Sequence, residues 1–407
     1  MSAIVLLMGL LLAGYLGSFL VGDRAVRGFG LPSGVEWVAV GLVLGPGVLG
    51  VIGTTMLETV APIVVIGVGW LSLVVGLEYG YNSGRAVRPA RLLGGVMWGL
   101  ATAGPVAAAV WFAAPLVWPA VAKDRLVLAI CMGAVNAETT RHVMRWAHER
   151  HGAKGPLFEL LGDLADAEDI VPVLALGAVV ALHATPGGAP LAVLARVGAT
   201  LGLGAVLGAL CAWLLGKELR VRESWGFLIG TSLLALGVGA RAGLGVVTIM
   251  FAMGLALSLV SRHAADVRAM VLASERSALV PTMILCGARL HATDPVRLAV
   301  IVAVAVVARL AAKWLLGRAI AVTVAVARPA GALTGLAMLS SGALTVCVGI
   351  TVADRFPGPV GDAVLAAAVA ACVVGEIFGP PSLRNALKKV GDIVEPSRPE
   401  LEPEAAE

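Results

Sequence analysis

The stretch PLFELLGDLADAEDIVPVLALGAVVALHA, residues 156–184, is long and apolar enough to cross a bilayer, yet its first half carries Asp163, Asp166, Glu168 and Asp169. A spanning helix needs about 20 largely apolar residues. A charged carboxylate near the bilayer centre costs on the order of 2.5–3.5 kcal/mol, so several deep, unpaired acids would cost roughly 10 kcal/mol. The segment therefore predicts a water-filled cavity, a set of partners, or both. At about 100° per residue, Asp163, Asp166 and Asp169 share an arc of about 120°, and Glu168 lies about 100° further round from Asp169. Asp163 and Asp166 also suit the wet first turns of a helix, where acids cap and solvate that end. Glu168 and Asp169 are different, because the apolar run LALGAVVAL follows them and pushes them inward.

The rest of the chain has the same character. Hydrophobic residues make up 59% of the 407 positions and charged residues 14%, whereas a soluble domain has about 25% charged residues. This is the composition of an all-α polytopic membrane protein. The formal net charge of +4 comes from Lys and Arg in short loops and carries topology information, so it is not read as a nucleic-acid surface. Cys131, Cys211, Cys286, Cys347 and Cys372 lie in apolar segments without paired spacing, which argues against a disulfide framework or a zinc site. The first apolar run lacks a basic leader and an A-x-A-like cleavage site, and is expected to be a retained span.

Apolar windows separated by polar breaks fall at 3–21, 34–53, 57–78, 92–117, 125–146, 156–182, 189–215, 224–240, 243–260, 269–290, 297–325, 330–352 and 359–379, about thirteen spans in all. An odd number puts the termini on opposite sides. With the N-terminus outside, Lys and Arg in the cytoplasmic loops and tail outnumber those in the outer loops roughly threefold, so the positive-inside rule predicts N-out and C-in. Residues 1–392 are expected to form one transmembrane domain, with transport and dimerisation parts interleaved. Residues 393–407, Pro-rich and acidic, are expected to be a disordered cytoplasmic tail. Gly45, Pro46 and Gly50 mark a bend or helix end.

Two windows do not read as plain spans. In 125–146, Asn136, Glu138, Thr139, Thr140 and Arg141 interrupt an apolar run, and in 330–352, Ser340, Ser341 and Gly342 do the same. Polar or Gly-rich interruptions at corresponding positions in two halves of a chain point to discontinuous helices crossing at the midplane of an inverted-repeat transporter. The sequence also allows a simple helix end near Ala137, and Ser-Ser-Gly as ordinary helix packing.

These motifs, taken in order, resemble the monovalent cation:proton antiporters of the Kef and sodium/proton exchanger type over about residues 5–392. LPSGVEWVAVGLVLGPGVLGVI resembles the family's second-helix pattern. VVGLEYGYNSGR resembles its "GLE", with Glu78 in that place. AEDIVPVLALG is similar to its ion-site signature, ARAGLGVVTIMFAMGLALS to its Gly-rich stretch, ARLAAKWLLGR to its K-x-x-G segment, and VVGEIFGPPSLRNALKKVGD to its closing helix. The chain departs from the pattern where NAETTRH replaces Ser-Thr-rich sequence and where SSGALTV carries no acid.

The resemblance implies an integral protein of a bacterial inner membrane that exchanges Na⁺ or K⁺ for H⁺ across the bilayer, with no cofactor, no enzyme activity and a homodimeric assembly. It makes Asp169 the residue that binds the cation or the proton, with Glu168 as its partner and Asp166 on the same face. Asn136, Thr139 and Thr140 would supply neutral oxygens, and Arg276 the counter-charge. Glu78, Lys313 and Glu376 read as structural. A carboxylate in a partly dehydrated cavity can hold a proton at one pH and release it at another, and two adjacent acids titrate as a coupled pair. A gated cation channel, or a sensor or subunit on the same scaffold, remains open. An aspartyl protease does not fit, because two catalytic acids should come from facing helices and here they cluster on one.

Overall fold

A computed structural model describes residues 36–83, 89–185, 189–216, 221–290 and 294–393, together with residues 9, 34 and 187. Every regular element among the described residues is helical. Apart from residue 9, the expected span 3–21 lies outside the described residues, as does the expected tail beyond Ile393.

α1 (Glu36–Leu44) ends at the Gly45-Pro46 cluster, as expected, and packs on α11 (Ala264–Arg289). α2 (Thr54–Ser83) lies against α11 and α10 (Val246–Val260), and α10 also packs on α8 (Pro190–Leu215), which neighbours α9 (Val221–Ala242). α3 (Pro89–Val117) and α12 (Pro295–Thr323) are long and in contact. Each precedes a broken element: α4 (Arg125–Ala137) with α5 (Arg141–His151), and α13 (Leu333–Leu336) with α14 (Ala343–Arg355). α6 (Pro156–Glu168) runs into α7 (Ile170–Ala184) across a one-residue interruption at Asp169, and α15 (Pro359–Val390) closes the bundle against α14, α4 and α12.

Eight helices among the described residues are long and apolar enough to cross a membrane. Including the broken elements, the described helices occupy each of the expected windows after the first. Large apolar side chains remain exposed on the outer helices, Leu116 at 84% and Leu191 at 75% among them. Such a surface is unfavourable in water and suits lipid. The five cysteines are free and buried, as small packing residues are.

The breaks have local causes. Glu138 and Thr140 take extended backbone angles between α4 and α5, and Thr140 caps α5 by accepting the His142 N–H (3.3 Å). Gly342 is extended just before α14. A Cβ on Gly342 would overlap the side chains of Thr140 and Glu138, so only glycine lets the two breaks come this close.

Candidate functional site

The two breaks touch. The Thr140 N–H donates to Ser340 O (2.7 Å), and the Thr139 hydroxyl donates to Met338 O (2.7 Å). Glu138 reaches across to the start of α14. Its carboxylate accepts the N–H groups of Gly342 (3.1 Å) and Thr345 (2.8 Å) and the Thr345 hydroxyl. A helix N-terminus presents unpaired N–H groups and a partial positive charge, and a carboxylate answers both.

The opposite polarity is met from α12. Arg309 and Lys313 stand one turn apart there, 1% and 0% exposed. Arg309 donates to the carbonyls of Glu138 (3.0 Å), Leu339 (2.8 Å) and Ala371 (3.1 Å) and to Ser341 Oγ (2.6 Å), tying both breaks and α15 together. Lys313 Nζ donates to Ala137 O (3.3 Å) at the C-terminal end of α4, to Thr139 Oγ1 (3.0 Å) and to Glu168 Oε2 (3.1 Å). The ammonium also lies 5.5 Å from the centre of the Trp98 ring. Carbonyls exposed at a helix C-terminus carry partial negative charge, so cations from α12 stabilise the ends that the breaks leave open.

Glu168 and Asp169, adjacent in sequence, face different surroundings. Glu168 is sealed against Lys313 with neither side chain exposed. Asp169 lines a cavity of about 30 Å³ together with Asp166, Glu138, Glu78, Glu275, Arg141 and His142. This agrees with the helical arc that separates Glu168 from Asp166 and Asp169. A cavity of that volume has room for one or two water-sized occupants. Asp169 Oδ1 is buried without a hydrogen-bond partner among the described residues, and so are Glu168 Oε1 and Asn136 Oδ1.

A collar of ion pairs surrounds the cavity, built from the first turns of α5. Arg141 pairs with Asp166 on α6, and His142 Nε2 lies 3.0 Å from Glu275 Oε1 on α11. Arg145 and Arg268 both donate to Glu78 Oε1 at 2.8 Å.

The other expected site residues are placed as follows. Asn136 is fully buried and donates its amide to Met132 O (2.8 Å) in its own helix. Ser340 donates to Gly375 O (3.3 Å), while Ser341 receives Arg309. Arg276, expected to face the acids, is exposed on α11, while its neighbour Glu275 turns into the cavity. The cation on Glu168 is Lys313, so the counter-charge comes from α12. Arg309 went unremarked in the sequence, although two cations four residues apart inside an apolar span were a usable signal.

Two broken helices that touch beside a buried acid pair, each after a long helix, make up the inverted-repeat antiporter fold. Two solved structures of the sodium proton antiporter MjNhaP1 from Methanocaldococcus jannaschii share it. The structure determined at pH 8 superposes with a TM-score of 0.69 at 15% identity, covering 96% of this chain and 99% of that one. The structure from an electron-microscopy map gives a TM-score of 0.64 at 17% identity, covering 97% and 100%. Both are of the sodium proton antiporter type and carry no information on the Kef type. No protein-family model matches the sequence, and no curated protein matches it.

Proposed function

We propose that the protein is a secondary antiporter exchanging a monovalent cation for H⁺ at Asp169. The observation that carries this reading is the division of labour between the two adjacent acids. Glu168 is neutralised in place by Lys313, whereas Asp169 faces a small acidic cavity at the crossing with one buried oxygen unpartnered.

In this reading Na⁺ or K⁺ and H⁺ compete for the Asp169 carboxylate, and alternating access converts competition into exchange. Hard cations take oxygen ligands, and the Thr140 hydroxyl, Asp166 and Glu138 share the cavity. Thr139 and Asn136 do not line it, and Thr139 supports the crossing through Met338 O and Lys313. The solved structures are of a sodium proton antiporter, which favours Na⁺ over K⁺. The cavity's small volume favours a carrier over an open channel. A homodimer with its N-terminus outside completes the proposal, the orientation resting on the Lys and Arg bias of the loops.

The test is proton flux in proteoliposomes carrying a pH dye, on addition of Na⁺, K⁺ or Li⁺. The expected result is that one cation collapses the pH gradient in the wild type and fails to do so in Asp169→Asn. Cation leak without proton movement in the wild type would replace exchange with a channel.

A further inference from the structure

The last described turn of the chain is fastened to the start of the helix that carries the acids. α15 ends at Gly391, whose φ of +81° turns the chain back. Asp392 follows, 7% exposed. Its Oδ2 accepts the N–H of Phe158 (2.8 Å) and its carbonyl accepts the N–H of Lys154 (3.0 Å). Ile393 is buried in the same apolar cluster as Ala153, Leu157 and Leu161.

α6 cannot provide this cap itself. The residue before its first turn is Gly155, with φ +146° and no side chain to accept an N–H. A Cβ at Gly155 would overlap the Asp392 carboxylate. The glycine therefore makes room for a cap supplied from 234 residues further along the chain. That cap is a carboxylate, which suits the positive end of the helix dipole.

We infer that Asp392 is a positioning residue for the acid pair, holding α6 by its free end and so setting where Glu168 and Asp169 sit at the other. α6 has 13 residues, about 20 Å of rigid rod at 1.5 Å per residue, so a tilt at Phe158 displaces the acids against Lys313 and the cavity. The inference rests on the exchange reading above for its consequence, but not for its geometry.

The test compares wild type with Asp392→Leu, Asp392→Asn and Gly155→Ala in proteoliposomes, measuring KM and kcat for Na⁺ alongside amide hydrogen exchange of α6 and of α8 as a distant control. Loss of a helix cap is worth about 0.5–2 kcal/mol, so KM should rise about 2- to 30-fold in Asp392→Leu and Gly155→Ala, with kcat changing less. Asp392→Asn keeps the acceptor and should restore most of the difference. Amides 157–168 should exchange faster while α8 is unchanged. An unaltered KM, or equal acceleration in α8, overturns the inference, the second because it would show only general loosening. Amide exchange reads the cap even if the wild type moves no ions, so failure of the exchange reading would be seen separately.

Discussion

Lys313 Nζ lies 3.1 Å from Glu168 Oε2 with both side chains at 0% exposure, although the two residues are 145 positions apart. Each charge is tolerable because the other is there. Removing one partner of a buried pair leaves an uncompensated charge and typically costs about 3–5 kcal/mol, while replacing both with apolar groups is often neutral. Lys313→Leu should therefore lower thermal stability in detergent sharply, and the double variant Lys313→Leu, Glu168→Leu should recover most of it. A double variant no more stable than Lys313→Leu alone would show that Lys313 matters mainly through Ala137 O and Thr139.

Asp169→Asn should behave in the opposite way. Its carboxylate has an unpartnered buried oxygen, so the neutral amide should leave thermal stability within about 1 kcal/mol while abolishing exchange. In the wild type, competition fixes the sign of the pH effect. Protons occupy the carboxylate as pH falls, so the apparent KM for the cation should rise towards acid, approaching about tenfold per pH unit in the limit. A KM that is flat in pH while flux continues would remove Asp169 from the competition.

Arg309 donates to four oxygens on three segments. A lysine carries the charge but not the planar fork, so Arg309→Lys should not be conservative. Each buried acceptor left unmet costs about 1–3 kcal/mol. Thermal melting should show a loss of at least about 2 kcal/mol, on the principle that a point charge cannot replace a fork. Wild-type stability in Arg309→Lys would show that the carbonyls find other donors.

Arg145 and Arg268 both hold Glu78 Oε1 at 2.8 Å, and their side chains are 37% and 27% exposed. Partly exposed pairs are each worth about 1 kcal/mol or less. Arg145→Ala alone should be mild, because Arg268 still holds the same oxygen. The double variant should cost more than the sum of the singles, a non-additivity expected of residues that share one partner. Strict additivity in chemical denaturation would show two independent contacts.

What was legible in the sequence is what each residue does to its own neighbourhood. The apolar windows set the helices, the helical repeat put Asp166 and Asp169 on one face with Glu168 on another, and the polar residues at 138–141 and 340–342 marked both breaks. Spans, faces and interruptions follow from the rise and turn of a helix, and a reader of the chain can compute them.

The tertiary structure decided which charge meets which. The sequence reading chose Arg276 as the counter-charge and took Lys313 as structural, and only the packing of α12 against α3 and the breaks brings Lys313 to Glu168 and leaves Arg276 exposed. Glu138 looked like an intruder at a helix end until the start of α14 came within reach of its carboxylate. Asp392 lies 234 residues from the N–H it caps. Helical geometry is periodic over a few residues and leaves a local trace. A pairing across more than a hundred residues depends on how whole helices pack, and leaves none in the spacing of the residues it joins.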